Sequence, residues 1–215
     1  MKSVTNIKRL SRREVIFLLG GLTALAFLML IFRIRLEGNF RYTFLVWNLF
    51  LAYVPIGFTL IYEHMRKNRL SKSVLLASWL LFFPNAPYIL TDYIHLRHYF
   101  TVLDFAIIST YAILGLAAGF YSLRILCRDT QLLRRRWSIP LLFFLTSIGV
   151  YLGRFIRWNS WDIADHPLQI LKDVFDLFAH PVQHSWSLVF IGLFSLVLVV
   201  SYKMFNVLVN QIHEE

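Results

Sequence analysis

The stretch Phe82–Leu96, FFPNAPYILTDYIHL, decides how this chain is read. It starts as an apolar helix, meets Pro84 and Pro87 on either side of Asn85, and resumes with Asp92 and His95 on one face. Proline has no N–H to donate and disfavours helical geometry in the residue before it, so a helix break is expected at Pro84/Pro87. From an inner edge near Ser73, a rise of ~1.5 Å per residue puts Asn85 ~18 Å up, past the middle of a bilayer. Broken backbone at that depth is tolerated only inside protein or beside a water-filled cavity. From Tyr88 onward, helical spacing lines up Tyr88, Asp92, His95 and Tyr99. A plain proline kink with interfacial polar residues is the competing reading.

The surroundings agree with a membrane setting. Of 215 residues, 58% are hydrophobic and 16% charged, outside the usual soluble composition. Apolar runs cover about 15–32, 42–62, 74–90, 103–126, 139–155 and 186–209. Crossing a ~30 Å hydrocarbon core takes ~20 helical residues, and the third run reaches that only with the residues past the prolines. The expected fold is all-α: a polytopic membrane helical bundle of six transmembrane helices, one domain over residues 1–215. A short interfacial helix is expected at about 168–179, where Leu171, Val174, Phe175 and Phe178 share a face.

Lys and Arg set the orientation. Fifteen of the 22 basic residues fall on one side, among them Lys2, Lys8, Arg9, Arg66, Lys67 and Arg134 to Arg136. The positive-inside rule then places both termini in the cytoplasm. The net charge of +10 is thus a topology signal. Its short juxtamembrane clusters do not suit nucleic acid. The first run lacks a small-residue cleavage site and is read as a retained span. A lone Cys127 excludes an internal disulfide. Trp47, Trp158, Trp161 and Trp186 fall near the outer interface, and Trp79 and Trp137 near the inner one, as in an aromatic belt.

Polar residues collect at the outer end. Asn48 in the second span needs a partner inside the bundle. Gly115-x-x-x-Gly119 reads first as packing within the chain, with a homodimer as the second use. Asp104 suits the first turn of the fourth span. Arg154 and Arg157 stand where positive-inside bias disfavours arginine. They either reach lipid phosphates and nearby aspartates or form a fork for a phosphate or carboxylate. His180 and His184 have metal-compatible spacing but flank Pro181, and surface histidines are the default. His98 adds to the same outer group.

FPNAPYILTD (Phe83–Asp92) with His95, and GRFIRWNSWD (Gly153–Asp162), resemble the uncharacterised prokaryotic membrane-protein family catalogued as domain of unknown function 1361. The matching positions are Pro84, Asn85, Pro87, Tyr88, Thr91, Asp92, His95, Arg154, Arg157, Trp158, Asn159 and Asp162. The resemblance implies a multi-span membrane protein and carries no activity with it.

Three functions stand. The first is a membrane accessory or lipid-binding protein with an outward-facing polar site and membrane lipids as partners. The second is a membrane-embedded hydrolase or transferase, metal-dependent or not, acting on a lipid or other anionic substrate. In it Asp92 and His95 are the catalytic pair, and Asn85, Arg154, Arg157, Asn159 and Asp162 bind substrate. The third is a small-solute transporter subunit, for which a broken helix past the midplane is a familiar device. No cofactor or metal identity follows from the residues.

Overall fold

The computed structural model of the chain describes residues 12–65, 69–96 and 101–211. Lys2, Lys8, Arg9, Arg66, Lys67, His98 and Tyr99 lie outside the described residues. Six helical stretches are long and apolar enough to cross a membrane, and among the described residues there is no strand. The first two are α1 (Arg12–Glu37) and α2 (Phe44–His64). The third starts as α3 (Arg69–Phe82), passes into α4 (Asn85–Tyr88) and ends as a 3-10 segment, Ile89–His95. The fourth is α5 (Val102–Asp129). The fifth is α6 (Ser138–Tyr151) with a π-helical end, Leu152–Ile156. Two short helices follow, α7 (Asp162–Asp165) and α8 (Pro167–Ala179), before α9 (Ser185–Gln211) makes the sixth.

Five of the six spans overrun their apolar runs at both ends, while the second starts at Phe44, two residues inside its run. α2 runs unbroken through Pro55, and Thr59 donates its hydroxyl to the Pro55 carbonyl at 2.9 Å.

α5 is the central post, packing on α1, α2, α4 and the 3-10 segment, while α6 pairs with α9. Ile107, Ile108, Tyr111, Leu114, Ala118 and Leu123 of α5 are buried. α1 and α9 turn Phe17, Leu28, Phe32, Leu193 and Val197 outward. Lipid tails are as apolar as leucine, so such exposure costs little in a bilayer, and helix association depends on close backbone approach. Three glycines provide it. A Cβ on Gly115 would stand 2.7 Å from the Ala86 carbonyl oxygen, and one on Gly119 would stand 2.6 Å from the Ala86 Cβ. A Cβ on Gly149 would meet the Pro84 ring at 2.8 Å. The Gly115/Gly119 pair is therefore a seat for the chain's own Ala86.

Trp79 departs from the aromatic-belt expectation. It is buried, stacks near Phe83 with ring centroids 4.5 Å apart, and donates its indole N–H to Ser122 Oγ at 3.2 Å. Trp47, Trp137, Trp161 and Trp186 are exposed. α8 has two apolar faces where one was expected. Leu177, with Ile170 and Val174, packs into a cluster with Ile148, Leu152 and Ile191 of the fifth and sixth spans. Leu168, Leu171, Phe175 and Phe178 stay exposed.

Candidate functional site

The prolines change the kind of helix and leave its path intact. Pro84 (φ −58°, ψ −24°) and Ile89 (φ −59°, ψ −27°) both hold right-handed helical angles. Without N–H groups at Pro84 and Pro87 the α-ladder lapses. Across the prolines, Ala86 N–H donates three residues back to the Phe83 carbonyl at 3.1 Å and Tyr88 N–H four back to the Pro84 carbonyl at 3.1 Å. The backbone then winds at three residues per turn, and residues three apart eclipse. Tyr88 stacks over Thr91, and Asp92 over His95, in place of the expected α-helical stripe.

These four residues surround Arg154. Its guanidinium donates Nε–H to Thr91 Oγ1 at 2.7 Å and Nη2–H to Asp92 Oδ1, places Nη1 3.2 Å from His95 Nε2, and lies 4.1 Å above the Tyr88 ring. The second Asp92 oxygen accepts from Asn48 Nδ2 at 2.9 Å. Asp92 is 0% exposed and the Arg154 side chain 7%. His95 is 42% exposed at its side chain, packs against Phe44 at 4.9 Å between rings, and offers its carbonyl to Arg41 at 3.1 Å. Arg154 reaches this position from the π-helical end of the fifth span. An extra residue per turn there re-aims side chains, a device common at functional sites.

Asn85, Asn159 and Asp162 lie apart from that knot. Asn85 donates from Nδ2 to the Phe82 carbonyl at 2.9 Å and to Ser160 Oγ at 3.0 Å, and Ser160 donates to the Leu81 carbonyl at 3.1 Å. Asp162 accepts from Asn159 N–H at 2.7 Å and from Asn159 Nδ2 at 3.1 Å. Arg157 joins neither group. It ends the π segment at φ +73° with its backbone N–H donated to the Leu152 carbonyl, is exposed, and its side chain makes no hydrogen bond or ion pair among the described residues. A positive φ in a non-glycine residue costs ~1 kcal/mol or more. Here it turns the chain sharply out of the span, and Trp158 N–H caps the Leu152 carbonyl at 3.1 Å.

A groove of about 700 Å³ is lined by Asn85, Asn159 and Ser160 and by Asn48 and Tyr88 beside the Arg154 knot, within the ~300–1,000 Å³ typical of small-ligand sites. Val74, Ser78 and Leu81 of α3 face Leu145, Ile148 and Gly149 of α6 across it. Asn48, Asn85, Tyr88, Asn159, Ser160 and Trp161 line its other end. Val74, Leu80 and Leu145 of the third and fifth spans line it and are exposed, so it opens sideways between those spans, and Ile163 of α7, also exposed, lines it as well. Asp92, His95, Arg154 and Arg157 do not line it. Among the described residues, no group of three His, Cys, Asp or Glu is arranged to hold a metal ion.

A second ionic knot sits at the same end. Arg33, 1% exposed, donates to Asp104 Oδ1 at 2.8 Å and to Glu37 Oε2 at 2.7 Å, and lies 4.6 Å over the Tyr42 ring. Asp104 also closes a capping box with Thr101 at the start of α5. Burial pushes the Tyr42 hydroxyl above its ordinary range. His180 and His184 share the two oxygens of Asp176 at 2.9 Å each.

Thr91, Ser160 and the α6 wall escaped the sequence reading. Thr91 stood inside the recognised motif but carried no charge. The groove itself had no sequence signal except Gly149, whose lack of a side chain makes room for Pro84.

Among the described residues, six helical stretches long and apolar enough to cross a membrane mark a multi-pass integral membrane protein. The chain belongs to the family described as protein of unknown function DUF1361, whose model matches residues 47–200. That match contains the Arg154 knot and the whole groove, and leaves α1 outside. No curated protein and no solved structure matches the chain.

Proposed function

We propose that this is a lipid-binding membrane protein that takes a lipid chain from the bilayer into the groove between α3 and α6. One observation carries the reading: an apolar groove, ~15 Å long from Val74 to Pro84 along α3, opens sideways through exposed apolar residues inside the spans. A cavity in that position is filled by hydrocarbon, since water there has few polar partners. The positive-inside bias puts its polar end toward the outer leaflet. Asp92, Arg154 and Asn48 serve as the brace that ties the second, third and fifth spans behind the groove.

The test is a photoreactive phosphatidylcholine with a diazirine on its acyl chain, reconstituted with the full chain in vesicles. Adducts mapped to residues 74–85 are expected well above those on Leu193 and Val197 of α9, which sample ordinary boundary lipid. Ala77→Trp, which fills the groove, is expected to abolish the excess. Equal labelling of both regions in the wild type refutes the reading.

A hydrolase or transferase is supported by one separate observation. His95 is half-exposed while its ring nitrogen stands 3.2 Å from Arg154 and 3.9 Å from Asp92. An imidazole so placed can exchange protons with a headgroup at the bundle's end. That reading requires His95→Gln to abolish turnover of a lipid while leaving stability unchanged.

A further inference from the structure

The polar end of the groove has an unusual donor and acceptor balance. Asn48, Asn85 and Asn159 all line it. Each has its amide NH2 committed: Asn48 to the Asp92 carboxylate, Asn85 to the Phe82 carbonyl and Ser160, Asn159 to the Asp162 carboxylate. Carboxylates and carbonyls only accept, so chemistry forces the orientation of all three amides. Their three carbonyl oxygens accept no hydrogen bond from the described residues. Among the described residues, nothing charged lines the groove. Trp47, Trp158, Trp161 and Tyr88 supply ring surface around the same end, with Trp47 and Trp161 meeting edge to face at 6.5 Å between centroids.

We infer that the groove selects a lipid whose headgroup is uncharged and rich in hydroxyls, such as a glycosyl diacylglycerol. This rests on the lipid-binding reading above. Three acceptor oxygens call for donors, and hydroxyl groups supply them. Aromatic faces with polar edges suit a sugar, which has C–H faces and O–H edges. A phosphate brings acceptors only. It would meet three carbonyl oxygens with no cation among the described lining residues: Arg157 does not line the groove, and Arg154 is held by Asp92, Thr91, Tyr88 and His95. An ammonium headgroup would find acceptors and rings, yet no carboxylate lines the groove to balance a charge taken out of water.

The experiment uses three probes with the same diazirine acyl chain and different headgroups: glucosyl, phosphoglycerol and phosphoethanolamine. Each is added at trace level to phosphatidylcholine vesicles holding the full-length protein. The readout is adducts on residues 74–85 divided by adducts on the outward face of α9. The glucosyl probe is expected to give at least a tenfold higher ratio than either phospholipid. Asn159→Ala, at an exposed loop position, is expected to cut that preference to under threefold. Equal ratios above one for all three probes overturn the headgroup inference and leave the groove as a lipid site. A preference for phosphoglycerol or phosphoethanolamine overturns it in favour of a phosphate or an amine. Ratios near one for every probe overturn both.

Discussion

Replacing Arg154 with methionine separates a structural brace from a working site. The substitution keeps most of the side-chain length and removes the guanidinium. Asp92, 0% exposed, then keeps one hydrogen bond, from the Asn48 amide at 2.9 Å, with the His95 ring nitrogen 3.9 Å away, for a carboxylate otherwise sealed from water. Removing one member of a buried ion pair costs ~3–5 kcal/mol, against ~0–1 kcal/mol for an exposed pair. The 7% exposure of the Arg154 side chain places this pair with the buried class. Replacing both charges with apolar groups removes the orphan, so Asp92→Leu/Arg154→Met is expected to recover at least ~2 kcal/mol of the single-mutant loss. It falls short of wild type because the Asn48 amide then lacks its acceptor, worth ~1–3 kcal/mol. The assay is reversible unfolding in mixed micelles as denaturing detergent is raised, run on wild type, both single variants and the double. A single-variant loss under ~1 kcal/mol, or a double variant no more stable than Arg154→Met, would refute the brace.

The glycine contacts make a second set of predictions. Gly119→Ala is expected to cost ~1–3 kcal/mol, because its Cβ would sit 2.6 Å from the Ala86 Cβ, while Gly192→Ala, with nothing within 4 Å, is expected to be neutral or slightly stabilising. A homodimer face at Gly119 would instead show as a change of oligomeric state in crosslinking. Asp176 predicts a pH response: the His184 hydrogen bond, then that of His180, holds its carboxyl below the ordinary carboxylate range. A lowered folded pKa gives stability that is present above the unfolded value and lost as pH falls through the folded one. Hydrogen-exchange protection at the α8–α9 corner should therefore weaken only in acid, and Asp176→Asn should remove the response. Metal content of purified protein is expected to be the same in wild type and His95→Ala, because Arg154 and Asn48 already occupy the two Asp92 oxygens.

The spans were legible because hydrophobic length is a one-dimensional property: each expected run coincides with a structural span, and only the second, 42–62, starts outside its span, by two residues. Gly115 and Gly119 were read as internal packing for the same reason: small residues four apart mark a close approach without naming the partner. The site was only half legible. Asp92, His95 and Arg154 come together, but Asn85 and Arg157 do not join them, because 3-10 and π-helical turns shift the faces that α-helical counting assigns. Nothing in a single sequence reports that a span will wind at three residues per turn after Pro87 or carry an extra residue per turn at Leu152–Ile156. Trp79 was misplaced because apolar periodicity gives a depth, and its burial depends on Ser122 in another helix.

The Pro84–Pro87 segment explains why a brace and a groove occur side by side. Ala86 seats on Gly115 and Gly119, which fixes the third span against α5 at the back. Pro84 touches Gly149, which fixes the point where the third span meets α6. Toward Val74 the groove lies between α3 and α6, lined by Val74, Ala77 and Ser78 on one side and Leu145 and Ile148 on the other. Toward His95 the chain has lost its α-ladder, and the tighter winding turns Thr91, Asp92 and His95 onto the guanidinium that the fifth span delivers. The same contact therefore divides the interface into a closed ionic part and an open apolar part. A bulkier residue at position 149 tests this directly. Gly149→Val would push Pro84 away, and it should lower stability and groove labelling together. If stability falls while labelling of residues 74–85 holds, the groove does not depend on that contact.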